Sequence, residues 1–308
     1  MFIPATESAV AMLHVGRGRS YGPIRHAAEW LMYHLYRTNW AARLAYTLGQ
    51  QRRIDVRRYD LVLDSYPRTA PALTVAFASD FHAGPVTHPA LLRSACDRLI
   101  EARPDVVLYG GDYVFLEARH MDSLAPLLGS VPAPLGRYAI MGNHDLWTAE
   151  HQIIERLESN NIQVLMNRGI ALPAPYDDIS IIGLDDGLSG DPAPEPAFAE
   201  ARPTRIVITH SPATLDCLRG YRFDLAFGGH THGGQIALPG GHPILLPMGS
   251  RGRKLGRGAL HRGIHDSEGV LIVSRGVGYV DIPIRLFACP DIIVCRLRGP
   301  SDSPASAA

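Results

Sequence analysis

Leu73-Thr-Val-Ala-Phe-Ala-Ser-Asp-Phe-His82 is the stretch whose reading decides the fold. Its first six residues form a short apolar run, the pattern of a buried strand, and the run stops at Ser79-Asp80. The pattern then recurs. Residues 89–102 read as a helix, and Val106-Val-Leu-Tyr109 is a second buried strand that ends at Gly110-Gly-Asp112. Residues 120–128 are helical in pattern, and Tyr138-Ala-Ile-Met141 is a third strand, ending at Gly142-Asn-His-Asp145. Asp80 and Asp112 are 32 residues apart, and Asp112 and Asn143 are 31 apart. Each interval is close to the roughly 30 residues of one βαβ unit. Every strand therefore delivers polar residues at its carboxyl end, where open α/β sheets place their ligands.

The second half repeats the theme with more strand. Residues 162–165 and 179–184 read as strands separated by a Pro/Asp-rich turn, and 186–204 as a proline-rich loop. Arg205-Ile-Val-Ile208 leads into Thr209-His-Ser-Pro212 and a helix over 213–219. Leu225-Ala-Phe227 feeds Gly228-Gly-His-Thr-His-Gly-Gly-Gln235, where a glycine pair flanks His-Thr-His on each side. A tight glycine-permitted turn lets His230 and His232 converge on one point, as two metal ligands would. The same segment also reads as a polar turn with solvated histidines, so other ligands must decide. Residues 237–266 are rich in Gly, Pro and Arg, strands return at 270–273 and 292–294, and 300–308 reads as a disordered tail.

Composition bounds the answer. With 308 residues, 46% hydrophobic and 19% charged, the chain has ample material for a core. Thirty basic and thirty acidic residues cancel, so no global field recruits nucleic acid. A nuclease would want a basic excess and a separate binding domain; neither is seen, and no nucleic-acid partner is expected. The four cysteines form no CxxC pair and read as buried reduced thiols. No repeat or inter-domain linker is visible. The expected organisation is an N-terminal extension, 1–53, one domain over 54–299, and the tail.

Within the extension, residues 1–20 read as a loose leader and 22–49 as one helix, with Pro23 in its first turn and Gly49 near its end. Ile24, Ala28, Leu31, Leu35, Ala42 and Ala45 form an apolar ladder, with Trp30, Tyr33, Tyr36, Trp40 and Tyr46 adding aromatic bulk. Arg52, Arg53, Arg57 and Arg58 follow. Such a helix can lie on an anionic membrane, or it can pack on its own domain or a partner subunit. No export signal and no run of about eighteen apolar residues is present. The expected location is the cytoplasm, with peripheral association at the inner membrane surface open through residues 22–49.

The strand-end polar residues, in order, are Asp80, His82, Asp112, Asn143, His144, His210, His230 and His232. Each alone has an ordinary explanation: a loop pair, a helix cap, a turn. Polar accidents at five consecutive strand ends are another matter, and together the residues read as a metal site. Carboxylates and imidazoles with one amide suit Zn, Fe or Mn better than a thiolate metal or an all-oxygen calcium site.

This ordered set resembles the calcineurin-like metallophosphoesterase superfamily, whose blocks are D-x-H, G-D, G-N-H-D, an isolated H and G-H-x-H. Here they stand as Asp80-Phe-His82, Gly111-Asp112, Gly142-Asn-His-Asp145, His210 and Gly229-His-Thr-His232. The match covers about residues 72–297. Gly233-Gly-Gln235, Ser274-Arg-Gly-Val-Gly278 and Pro283-Ile-Arg-Leu286 look like the bacterial branch of small phosphodiesterases, which also contains some UDP-2,3-diacylglucosamine hydrolases. Relatives in that branch often begin with a membrane anchor or export signal, where this chain has the amphipathic 22–49 segment. Asp112 is followed by Tyr-Val-Phe, where many relatives carry a further acid.

The resemblance implies an α/β fold, a four-layer α-β-β-α sandwich of two mixed sheets with a dimetal site at strand carboxyl ends. It implies two divalent ions (Mn, Fe or Zn, with Mn favoured), one held by Asp80, His82 and His232 and the other by Asn143, His210 and His230, with Asp112 bridging. The implied reaction is hydrolysis of a phosphodiester or pyrophosphate by a hydroxide bridging the metals. His144 would donate to a phosphoryl oxygen or protonate the leaving group, and Asp145 would orient or charge that ring, unless it is a helix N-cap. Arg251, Arg253 and Lys254, with Arg257, lie in a glycine-rich segment that reads as a lid gripping a second phosphate or as a solvated loop. His242, His261 and His265 read as surface residues, and Ser250 and Gln235 as weaker candidates. The expected substrate is lipid-linked or a nucleotide sugar; the alternatives are a non-catalytic scaffold of the same fold, a phosphomonoesterase or a soluble nucleotide phosphodiesterase.

Overall fold

The computed structural model describes residues 16–18, 22–246, 258–262 and 269–300. After helices α1 (Pro23–Tyr36) and α2 (Trp40–Thr47) the chain enters β1 (Asp55–Val62). It then runs through β2 (Leu73–Ala78), α3 (Pro89–Ala102), β3 (Val106–Tyr109), α4 (Met121–Gly129) and β4 (Arg137–Ala139). Next come α5 (Asn143–Trp147), α6 (Glu150–Glu158), β5 (Gln163–Val164), β6 (Arg168–Ala171) and β7 (Ile179–Gly183). The last part holds α7 (Pro194–Phe198), β8 (Thr204–Ile208), β9 (Leu225–Gly228), β10 (Ala237–Leu238), β11 (His242–Pro243), β12 (Leu260–Arg262), β13 (Val270–Val273) and β14 (Asp291–Arg298).

Two six-stranded mixed sheets result, ordered β1-β14-β2-β3-β4-β5 and β12-β13-β9-β8-β7-β6. Side-chain alternation along the strands stacks them into layers. In β2, Leu73, Val75 and Phe77 face the second sheet, where they meet Ile206, Ile208, Leu225 and Phe227 from β8 and β9. Ala76 and Ala78, on the opposite face, pack against Leu91, Ala95 and Leu99 of α3. Val207 and Ala226 turn the other way, under Leu215 and Leu218. The order is helix, sheet, sheet, helix, as expected. Phe77 and Phe227 stack across the sandwich with ring centroids 5.1 Å apart, a pairing that contributes about 1 kcal/mol beyond its buried area.

Several elements differ from the sequence reading. The segment 22–49 is two helices, because Asn39 takes a left-handed conformation at φ 56° and breaks the run; asparagine is one of the few residues that tolerates it. The expected Pro/Asp-rich turn contains β6, an antiparallel edge strand on β7, and the 186–204 loop contains α7. The helix expected over 213–219 is a 3-10 helix, Pro212–Leu218. The leader, read as loose, is fixed where it is described. Gly18 N donates to Leu146 O at 2.9 Å, and Arg17 pairs with Glu150 and Asp185 at 3.0 and 2.9 Å. The expected lid residues Arg251, Arg253, Lys254 and Arg257, together with Ser250, His265 and the tail 301–308, lie outside the described residues.

Candidate metal centre

The five strand ends picked out in the sequence come together where the two sheets meet. Asp80 and His82 follow β2, Asp112 follows β3 and Asn143 follows β4; His210 follows β8, and His230 and His232 follow β9. All seven are buried, at most 8% exposed. Five of them, Asp80, His82, Asp112, His230 and His232, have φ between 41° and 66°. That left-handed region costs a non-glycine residue roughly 1–2 kcal/mol. Strain of this kind persists only where surrounding structure enforces it, and it gathers at functional sites.

Three groups of side chains offer ligand atoms within 4.8 Å of one another: Asp80, His82 and His232; Asp112, His210 and His230; and His82, Asp112 and His144. Nε2 of His82 lies 3.0 Å from Nε2 of His232, and Nε2 of His210 lies 3.2 Å from Nδ1 of His230. The Asp112 Oδ2 sits between the pairs, 3.5 Å from His82 Nε2 and 3.2 Å from His210 Nε2. Asn143 Oδ1 joins the second set, 3.2 Å from His210 Nε2. His210 is aimed by its other nitrogen, whose N–H donates to Gly110 O at 2.8 Å. Asp80 Oδ1 and Oδ2 accept from the His230 backbone N–H at 2.9 and 3.1 Å, which ties the last loop to the first.

Glycine is required at two close approaches. A Cβ on Gly142 would sit 2.3 Å from Asp112 Oδ1, and one on Gly229 would sit 2.3 Å from Asp80 Oδ2. The glycines of the G-N-H-D and G-H-x-H blocks are therefore holes that the carboxylates fill.

Electrostatics suit cation binding. Burial pushes His82 down to about 4 and His230 down to about 3, so both rings are neutral with a lone pair to offer. Burial lifts Asp80 to about 6. Burial also opposes charge on Asp112 and His210, but their mutual attraction wins: Asp112 is held well below the carboxylate range and His210 well above the imidazole range. His82 Nδ1 and His230 Nε2 are buried without a hydrogen-bond partner among the described residues. Imidazole nitrogens facing one another at 3.0 and 3.2 Å, flanked by buried carboxylates, are a set of side chains that divalent N/O metals fit.

His144 lies at the same mouth. Its ring is 4.7 Å from the His82 ring, nearly perpendicular, and 4.7 Å from Trp147. Burial holds it well below the usual imidazole range. Asp145 does something other than charge that ring. Its oxygens accept the backbone N–H groups of Asp112, Tyr113 and Gly142 at 2.7, 2.9 and 2.9 Å, which clamps the G-D and G-N-H-D turns together. The N-cap of α5 is Gly142, and Asp145, at the third position of the helix, reaches back to the Gly142 N–H. Gln235 is likewise structural, donating to Val280 O and Ile282 O. His242 is exposed and His261 half-buried, and neither belongs to a ligand group.

Two residues escaped the sequence reading. Arg285 is 5% exposed, and its Nη2 donates to His232 Nδ1 at 2.8 Å, holding the ring that ends the ligand set. Asp186 is fully buried with Oδ1 unpartnered among the described residues, and its charge helps raise His210. Leu184-Asp-Asp-Gly187, directly after the buried run of β7, is a sixth polar strand end and was the available signal for Asp186.

The calcineurin-like phosphoesterase family profile matches residues 73–234. Phosphodiesterase YaeI of Escherichia coli (strain K12) is 30% identical over 236 residues, covering 74% of this chain and 83% of that protein. UDP-2,3-diacylglucosamine pyrophosphatase LpxG of Chlamydia muridarum (strain MoPn / Nigg) is 26% identical over 279 residues, covering 73% of this chain and 83% of LpxG. Among solved structures, a 5'-nucleotidase precursor from Thermus thermophilus aligns at 15% identity with a TM-score of 0.44, covering 76% of this chain and 56% of that one.

Proposed function

The chain belongs to the calcineurin-like phosphoesterase family and is a phosphoric ester hydrolase; from that premise we propose that it hydrolyses a phosphodiester or pyrophosphate bond of an amphiphilic substrate at a membrane surface. The observation that carries the chemistry is the Asp112 carboxylate, whose Oδ2 lies between His82 of one ligand group and His210 of the other. In this reading Asp80, His82 and His232 hold one ion, Asn143, His210 and His230 hold the other, and Asp112 serves both. Two divalent cations, Mn favoured over Fe or Zn, would supply Lewis acidity to the phosphoryl oxygens and make water acidic enough to attack phosphorus near neutral pH.

The chain's own groups do the rest. His144 presents a neutral imidazole at the mouth, and burial disfavours its imidazolium. Donation of a ring N–H to a phosphoryl oxygen therefore suits it better than proton delivery to the leaving group. Asp145 holds the two turns that carry Asp112 and Asn143, so it fixes their spacing without touching substrate.

The preference for an amphiphilic substrate rests on α1 and α2. Met32, Tyr33 and Tyr36 pack onto the domain, while Ile24, Leu31, Leu35, Leu44 and Leu48 face solvent. An exposed apolar face of that extent suits a lipid surface. LpxG, named for a diacylated nucleotide sugar, fits the same picture. No helix among the described residues is long and apolar enough to cross a membrane, so any association through α1 and α2 is at the surface.

Asp112→Asn tests the chemistry. Turnover of bis-p-nitrophenyl phosphate should fall on the order of a hundredfold or more, with bound metal dropping below two ions per chain. Wild-type turnover in that variant would remove the two-metal reading, and no turnover by the metal-loaded wild type would leave the scaffold reading standing.

A further inference from the structure

The apolar surface does not end with the two helices. A second exposed patch lies on the loop 282–287 and on the β10–β11 hairpin with its following turn. Leu245 is 74% exposed and Phe287 61%, with Leu238, Ile244, Ile284 and Leu286 beside them. These residues sit on the segments that build the last part of the candidate metal centre. Arg285, between Ile284 and Leu286, holds the His232 ring. Leu286 N donates to Gln235 O at 2.9 Å, and Ala237 N donates to Leu286 O at 2.9 Å. A Cβ on Gly234, two residues past His232, would meet Pro243 at 2.4 Å and Leu245 O at 2.8 Å. The patch is therefore a rim of the site.

That rim and the helical pair are fastened together. Arg25, in the first turn of α1, pairs with Asp281 at 3.2 Å. At the far end, after α2, Gln51 Nε2 donates to Pro283 O at 3.1 Å, and Gln50 O accepts from Tyr279 Oη at 2.8 Å. Both ends of the α1–α2 pair thus hold the segment that runs into the rim. The charge around the two patches has one sign. Between residues 22 and 53 the acids number one, Glu29, which is buried against Arg25, while Arg37, Arg43 and Arg52 are exposed. In the stretches 235–246 and 279–288 the acid is Asp281, already paired.

We infer that α1–α2 and the 236–245 and 282–287 rim form one docking surface for an anionic lipid bilayer, which sets the mouth of the metal centre against the headgroups. Apolar side chains on both patches enter the headgroup–acyl boundary while the arginines meet anionic lipid. A second copy of the chain would leave those arginines facing one another, which repels. The inference rests on the membrane reading above and adds to it that the rim docks as well as the helices, so the phosphodiester cleaved belongs to a lipid headgroup presented at the interface.

The test compares the full-length wild type with Leu245→Glu/Phe287→Glu on the rim and Leu31→Glu/Leu44→Glu on the helices. Each is measured for co-sedimentation with vesicles of phosphatidylglycerol and phosphatidylethanolamine, and with vesicles of phosphatidylcholine alone. Wild type should bind the anionic vesicles, and the rim variant should bind them on the order of tenfold more weakly. Its melting profile, and its turnover of bis-p-nitrophenyl phosphate without lipid, should stay within twofold of wild type. The milder Leu245→Ser should show the same direction if the double variant folds poorly. A rim variant that binds like wild type, while the helix variant does not, overturns the rim's part and leaves the helices as the contact. Failure of the wild type to bind anionic vesicles overturns both. A wild-type dimer that the rim variant splits, by sedimentation velocity, assigns the patch to a second copy and also overturns the inference. The vesicle-binding and sedimentation readouts do not depend on the two-metal chemistry, which the Asp112→Asn measurement judges separately.

Discussion

Arg285 carries a permanent charge into the interior, over the Tyr279 ring, and its hydrogen-bond partners among the described residues are four carbonyls and one imidazole. Its Nη1 donates to Arg275 O at 2.6 Å, Ala288 O at 3.2 Å and His232 O at 3.3 Å, and its Nη2 to Gly278 O and His232 Nδ1. Desolvation makes such a charge costly, so its removal leaves several buried acceptors with nothing to accept. Arg285→Met should lower unfolding free energy by about 3–5 kcal/mol, measured by urea denaturation, and should reduce metal content, read by elemental analysis. A variant with unchanged stability would show that those carbonyls find other donors. Asp145→Asn is a gentler case. An amide cannot accept three N–H groups with both of its polar atoms, so the clamp loses at least one bond, a cost of about 1–3 kcal/mol. The effect should appear as lost stability in urea denaturation together with lost turnover; unchanged stability would show that the two turns are held without the clamp. The candidate ligands were legible in the sequence because their residue types recur at strand ends in a fixed order. The direction of the Asp145 carboxylate was not, since G-N-H-D allows it to face the ring or the backbone. Arg285 was invisible as a partner of His232 because 53 residues separate them and no spacing rule joins a ligand to the donor behind it.

Among the elements, β2 and β9 matter most to the site, since each ends in a pair of candidate ligands and each contributes a phenylalanine to the stack between the sheets. Phe227 stands three residues before His230. Phe227→Ala removes a fully buried ring and should cost about 3–5 kcal/mol, measured by chemical denaturation. Because β9 also anchors the Gly-rich turn, turnover should fall alongside stability; a variant as active as wild type at low temperature would show that the turn is held by its own bonds to Asp80. The short buried strands were readable because apolar runs bounded by Asp or Gly-Asp leave few alternatives. The α1–α2 break was not, because Arg37-Thr-Asn39 contains neither Gly nor Pro and the apolar ladder continues through it. Only the left-handed Asn39 marks it. Edge strand β6 was missed for a related reason: its sequence, Arg-Gly-Ile-Ala, lacks the β-branched run that a central strand shows.

On the scale of the whole molecule, the candidate ligands are divided between the sheets. Asp80, His82, Asp112 and Asn143 come from the first, and His210, His230 and His232 from the second. Neither proposed ion has a full set until the sheets have packed, so the unfolded chain offers it no comparable site and binding must stabilise the folded state. At a free ion concentration of about 100 times the dissociation constant, each ion should add about 2.7 kcal/mol. For a chain of this size that corresponds to a rise in melting temperature of roughly 5 °C per ion over the chelated protein. His210→Ala, which removes a ligand of the second ion, should keep about half of the rise, and so should His82→Ala for the first. The decisive comparison is the double variant. If the ions share only Asp112, His82→Ala/His210→Ala should melt at one temperature with or without manganese, as measured by calorimetry in both conditions. A full rise in either single variant would mean that the missing ligand was never bound. A rise lost entirely in both single variants would mean that the ions bind as one unit through Asp112, with neither half-site able to hold its own.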